Sequence, residues 1–217
     1  MSNAILSRSA QPPTVFTGTK LVVTAVLSAW LVLIMVLGAA GAFVTPPGTL
    51  PFPIAIGVTA PIALFFVGLW ISSPFREFVL ATDVRLMLGI QAWRFAGLAF
   101  LALYTYGVLP GIFAWPAGFG DIAIGVTAPW MLAVLLRQPR FAASKTFVVW
   151  NVLGILDLVV AIGTGAFSSA LATGVAGEVT TAPMAHLPLL LISAYLVPIL
   201  FMLHIAALMQ ARRLARG

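Results

Sequence analysis

Cysteine is absent from this chain, and charge nearly so. The lack of cysteine removes disulfides, thiolate metal sites and cysteine nucleophiles, and leaves the redox compartment open. Only 7 % of the 217 residues are charged, against about 25 % in a soluble globular domain. A soluble protein with 62 % hydrophobic residues and mean hydropathy +1.13 could not cover its apolar surface with so few charges, so lipid must cover it. Acidic residues are scarcest, five against eleven basic ones, for a net charge of +6. The basic residues flank apolar runs, which points to membrane anchoring and away from nucleic acid. Motifs of soluble catalysis are missing too: no glycine-rich phosphate loop after a strand, no His-Glu-x-x-His helix, no nucleophile elbow.

What the chain does have is long apolar runs. A hydrocarbon core of ~30 Å needs about 20 helical residues. Runs of that kind occupy residues 21–44, 52–72, 86–107, 119–136, 147–167 and 187–209. Backbone amides in lipid must be paired within their own segment, so each run is predicted to be a helix, and no strand-like alternation competes. The fold class is therefore all-α, a polytopic bundle of six transmembrane helices. Residues 1–19 read as a mobile cytoplasmic tail and 211–217 as a basic one. Ala40-Gly41-Ala42 fits a signal-peptide cleavage pattern, but the run before it is too long for a signal's apolar core, so it reads as a retained helix.

Charge sets the expected orientation. Arg8 and Lys20 precede the first run, Arg76 and Arg85 lie between the second and third, Arg137, Arg140 and Lys145 between the fourth and fifth, and Arg212, Arg213 and Arg216 end the chain. The alternate loops hold no lysine or arginine. The positive-inside rule places both termini in the cytoplasm, and the expected location is a bacterial inner (plasma) membrane.

Internal repetition organises the chain. Ile-Ala-Ile-Gly-Val-Thr-Ala-Pro occurs at 54–61 and again at 122–129, and Leu191 to Pro198 is a weaker third version. Pro61, Pro129 and Pro198 recur at near-equal intervals, each part-way along an apolar run. This predicts three parallel two-helix repeats around a pseudo-threefold axis. Trp93 with Gly97 matches Trp150 with Gly154, and an indole over a missing side chain suits close helix packing. Small-residue pairs such as Gly38 with Ala42 and Ala161 with Gly165 suggest homo-oligomers through helix faces.

The intramembrane polar set is Gln91, Arg94, Asp121, Asn151, Asp157, His186 and His204. An ionisable group in hydrocarbon costs ~2.5–3.5 kcal/mol, so each should face protein or water. Arg94 lies about 13 Å into the third helix, with Gln91 on its face. Asp157 is about 9 Å further out, a gap that an extended arginine nearly bridges. Asp121 reads as the first-turn cap of the fourth helix, at its outer end. His204, in the inner half of the sixth helix, reads as an interhelical donor or as a relay partner of Asp157 and Asn151. His186 and His204 are ~27 Å apart and cannot share one haem iron, and no cofactor or metal is expected.

The functional reading is a small proton-linked transporter or permease with a buried polar site between the second and third repeats, formed by Arg94, Asp157, Asn151, His204, Gln91 and Asp121. Its partners are the lipid bilayer and a small-molecule or ion substrate, with no nucleic acid. The first alternative is a membrane-embedded enzyme or redox subunit acting on a lipid, quinone or isoprenoid. Against it stands the expected separation of Asp121 and His204 at opposite membrane faces. The second alternative is a non-catalytic accessory subunit of a membrane complex.

Overall fold

A computed structural model describes residues 14–216. Residues 1–13, most of the expected N-terminal tail, lie outside it. The described chain is all-helical: α1 (Thr14–Ala39), α2 (Phe52–Ile71), α3 (Ser73–Ala81), α4 (Val84–Gln91), a tight 3-10 segment (Ala92–Gly97), α5 (Leu98–Thr105), α6 (Gly111–Arg137), α7 (Lys145–Leu171), a wide π-turn (Ile192–Leu196) and α8 (Val197–Leu214). Short 3-10 turns at Pro139–Ala143 and Ala182–Ala185 link α6 to α7 and α7 to the π-turn. Helix thus extends into both stretches read as tails, from Thr14 and to Leu214.

Six helical stretches are long and apolar enough to cross a membrane: Gly18–Ala39, Phe52–Ile71, Val84–Thr105, Gly111–Arg137, Lys145–Leu171 and Ile192–Leu214. They fit a multi-pass membrane protein. Side chains such as Trp70, Trp93, Phe52 and Leu64 point out of the bundle, as lipid contact requires. The third crossing is composite, built from α4, the 3-10 segment and α5 end to end. The fourth begins earlier than its apolar run. Gly111 to Gly118, expected to be loop, is the first part of α6, held by the burial of Phe113, Ala114 and Ala117 despite Pro116.

Local signals set the ends. The Ser72 hydroxyl accepts from the Phe75 amide at 3.3 Å and starts α3, with Pro74 in its first turn, where a missing amide hydrogen costs nothing. Asp83 accepts from the Arg85 amide at 2.8 Å and starts α4. Ser144 accepts from the Phe147 amide at 3.1 Å and starts α7. After α5, Gly107 takes φ 67°, and the amide of Val108 returns to the Leu103 carbonyl at 2.8 Å, closing the helix as an αL glycine allows.

The central element is α6, which packs against α4, the 3-10 segment, α5 and α7. The eighth helix, α8, closes the bundle against α7, α4 and α2. At the edge, α1 touches α3 and the π-turn, and only 11 % of its apolar stretch is buried. Trp30 donates to the Ala194 carbonyl at 3.1 Å and ties α1 to that turn.

The two identical octapeptides share local structure but meet different neighbours. In each, the threonine hydroxyl bonds back four residues, Thr59 to the Ala55 carbonyl at 2.8 Å and Thr127 to the Ala123 carbonyl at 2.6 Å. Gly57 then packs on Phe43 and Ala194, whereas Gly125 presses on the backbone of Arg94 and Phe95. The small residues Gly38 and Gly165 are covered within the chain, by Leu187 and Leu190 and by Phe113.

Candidate functional site

Glycines decide where Arg94 goes. Gly118 and Gly125 lie seven residues apart on one face of α6, with Asp121 between them. Gly118 sits against Leu101 and the Gly97 carbonyl, and a Cβ at Gly125 would collide with the Phe95 backbone. The two helices therefore meet almost backbone to backbone where the third crossing narrows to a 3-10 winding. Arg94 leaves that segment into the space between α6, α7 and α8 and is 3 % exposed.

Its guanidinium is bonded on every side. Nε donates to Asp121 Oδ1 at 2.7 Å, and Nη2 pairs with Asp157 Oδ2. Nη1 donates to the Gly154 carbonyl at 3.3 Å and faces Nε2 of His204 at 3.1 Å. His204 Nδ1 is 2.9 Å from Asn151 Oδ1, and Asn151 Nδ2 donates to the Phe147 carbonyl at 2.9 Å. Two further glycines make room. The His204 ring occupies the place of a side chain at Gly154, and the Asp157 carboxyl that at Gly120. One cation thus sits between two carboxylates, in contact with a buried imidazole. With both carboxyls ionised and His204 neutral, the formal charge of the group is minus one.

On the side of the loops that follow α1 and α7 the cluster borders a cavity of about 140 Å³. It lies between α2, α5, α6, α7 and the π-turn, below the loops at Thr45–Pro47 and Thr180–Ala182. Phe100, Phe113, Ala117, Leu158 and Ala161 make its deeper wall, and Asp121 is its only charged lining residue among the described residues. The Asp121 side chain is 18 % exposed against 1 % for Arg94, so the carboxylate and not the guanidinium meets the cavity.

Residues 51–212 match the family model described as Domain of unknown function (DUF8737). The chain belongs to the DUF8737 family. No curated protein matches it, and no solved structure does. The DUF8737 match begins after α1 and includes all six residues of the expected site.

Within the DUF8737 region the structure joins five of those six in one bonded group: Arg94, Asp121, Asp157, Asn151 and His204. Asp121 is not a helix cap, because α6 begins ten residues earlier and carries it to the depth of Arg94. The expected separation of Asp121 from His204 across the membrane fails for the same reason, since Arg94 touches both. Gln91 stands beside the group. Its Nε2 donates to the Leu200 carbonyl at 3.2 Å, and its Oε1 is buried with no hydrogen-bond partner among the described residues. His186 is exposed in the loop before the π-turn, outside the cluster. No metal-ligating group of three or more His, Cys, Asp or Glu occurs among the described residues.

The Trp–Gly pairs behave differently from expectation. Trp93 is 74 % exposed on the outside, and Gly97 is covered by Asp121. Trp150 is buried and donates to the Thr127 hydroxyl at 2.9 Å, while Gly154 is covered by His204. Sequence reasoning missed the Gly154 carbonyl as a ligand of Arg94, and Gly118, Gly120 and Gly125 as the residues that admit the cluster. The available signal was the glycine run Gly118-Phe119-Gly120-Asp121 with Gly125 one turn on.

Proposed function

We propose that this DUF8737 protein is a small proton-linked transporter of the bacterial inner membrane, with both termini cytoplasmic and its polar site formed by Arg94, Asp121, Asp157, Asn151 and His204. One observation carries the reading: a buried arginine between two carboxylates lies behind a cavity that ends on one of them. A buried group with one net negative charge is costly and is neutralised by a proton or a cation. Alternating between the two is what proton coupling requires. The segregation of lysine and arginine to one set of loops supports the orientation, and the duplicated octapeptide supports an origin in repeated two-helix units.

Proteoliposomes with pyranine inside test the reading. Small organic cations, anions and neutral solutes are added one class at a time at fixed external pH. At least one class should drive proton movement in the native protein, and Asp157→Asn should abolish it while the protein stays folded. If no class moves protons with folded native protein, the transporter reading fails.

The joining of Asp121 and His204 through Arg94 favours a second reading, a membrane-embedded enzyme with an apolar substrate in the cavity, because it gathers acid–base groups at one point. Mass spectrometry of lipids, quinones and isoprenoids incubated with the native protein tests it: a product lost in Asp157→Asn would favour catalysis over transport.

A further inference from the structure

Resting on the transport reading of the same site, we propose that the cavity takes a small organic monocation of the alkylammonium class, its ammonium on Asp121 and its hydrocarbon among Phe113, Leu158 and Ala161, in exchange for one proton.

Three features select this ligand. The first is sign. Asp121 lines the cavity, and Arg94 lies behind it with a side chain 1 % exposed, so an entering solute meets negative charge. The second is wall chemistry. Most of the lining is hydrocarbon, from residues such as Phe100, Phe113, Ala117, Leu158 and Ala161, and the hydroxyls of Thr181 and Ser193 that also line it donate to the Gly165 and Leu190 carbonyls. An inorganic cation held there would lose its water without the several oxygen ligands it needs. An alkylammonium brings an apolar body that the wall can bury. The third is size. The cavity, about 140 Å³, is close to the ~150 Å³ of apolar cavities that hold benzene, which limits the ligand to a few heavy atoms.

Charge balance links this ligand to the proton. The groups facing Asp121 are Arg94 from the 3-10 segment and, through Arg94, Asp157 and Asn151 from α7 and His204 from α8. Arg94 stays charged, and Asn151 does not titrate. His204 faces Arg94 with Nε2, which must act as an acceptor, so it has no place for a second proton while that contact holds. The two carboxyls are left with one uncompensated charge, which one proton or one monocation satisfies and both together would overshoot. Binding of the two is mutually exclusive.

Isothermal titration of n-butylammonium into the purified full-length protein in detergent tests this, with n-butanol and butyrate as comparators. The amine stays protonated well above neutral pH. Butylammonium should bind at least about tenfold more tightly than either comparator, and its affinity should fall about tenfold per pH unit once the carboxyls have taken up a proton. Asp121→Asn should weaken it at least about tenfold. Ala161→Leu, which fills the wall and leaves the Arg94–Asp121 pair in place, should do the same and serves if Asp121→Asn does not fold. Equal binding of the three solutes, tighter binding of butyrate, an affinity independent of pH, or unchanged binding in a folded Ala161→Leu variant overturns the proposal. Proton movement driven by another solute class, without butylammonium binding, removes this proposal and leaves the transport reading. Butylammonium binding that weakens with falling pH, with no proton movement in proteoliposomes, removes the transport reading and leaves a site where the cation and the proton compete at equilibrium.

Discussion

Arg94 Nη1 lies 3.1 Å from Nε2 of His204, and that contact sets the tautomer of the imidazole. A guanidinium only donates, so Nε2 must accept, and the ring proton sits on Nδ1. Nδ1 then donates to Asn151 Oδ1 at 2.9 Å, which leaves the Asn151 amide nitrogen to donate to the Phe147 carbonyl. One arginine thereby orders a chain of hydrogen bonds from α8 into the first turn of α7. Nitrogen-15 NMR of the native protein should show a protonated Nδ1 and a bare Nε2. Arg94→Met should release the ring to a mixture of tautomers.

Removing the arginine should be severe. Arg94→Met leaves two buried carboxylates without their partner, and breaking a buried ion pair from one side costs about 3–5 kcal/mol. Adding Asp121→Asn and Asp157→Asn to that variant should recover a large part of the loss. Arg94→Lys should rescue little, because a single ammonium cannot reproduce the spread of contacts to Asp121, Asp157, Gly154 and His204. Chemical denaturation in bicelles measures each.

His204→Ala should cost about 2–4 kcal/mol by the same measurement, since it opens a void over Gly154 and strands a donor on Arg94 and an acceptor on Asn151. The loss has two parts, and a small alcohol or imidazole added to the variant should refill some of the void and raise its thermal midpoint.

The glycines should divide sharply by neighbour. Gly154→Ala and Gly125→Ala drive a methyl into the His204 ring and into the Phe95 backbone and should destabilise by about 1–3 kcal/mol, Gly125 more because backbone yields less than a side chain. Gly163, in the same helix as Gly154, has nothing within 4 Å of its Cβ position. Gly163→Ala should be neutral or stabilising by about 0.5–1 kcal/mol through helix propensity. A thermal-shift series over the three variants checks the order.

Glu178 ties its own loop together. Its carboxylate accepts from the Thr173 amide and hydroxyl and from the Gly174 amide at 2.8–3.0 Å. Desolvation raises its pKa, but the hydrogen bonds from Thr173, Gly174 and Val175 together outweigh it and hold the group below the usual glutamate value. With the folded value depressed, the loop's extra stability is present above the unfolded value and is lost as pH falls through the folded one. Hydrogen exchange at the Thr173 and Gly174 amides should therefore lose its protection, approaching the intrinsic rate, as pH falls through the folded value. Glu178→Gln should show fast exchange at every pH.

Much of the architecture was legible in advance because lipid leaves few solutions. An apolar run of membrane length must be a helix, so six crossings follow from hydropathy alone. The pairing of Arg94 with Asp157 was open to counting along helices and to the reach of an arginine. Asp121 was misplaced because the segment before it, Gly111 to Gly118, holds proline, glycine and aromatics and reads as loop. Burial of Phe113, Ala114 and Ala117 makes it helix and moves Asp121 inward. The Trp–Gly pairs misled because a glycine states only that something comes close, not what.

From the sequence alone came the membrane-length helices, the scarcity of buried charge and the identity of the groups that had to find one another, since hydropathy and the cost of ionised groups in hydrocarbon depend on composition along the chain. The tertiary structure alone decided that Asp121, Asp157 and His204 converge on one guanidinium and that a carboxylate faces the cavity. Those outcomes depend on how near two backbones come at Gly118, Gly125 and Gly154, and that distance is settled by packing between helices far apart in the chain.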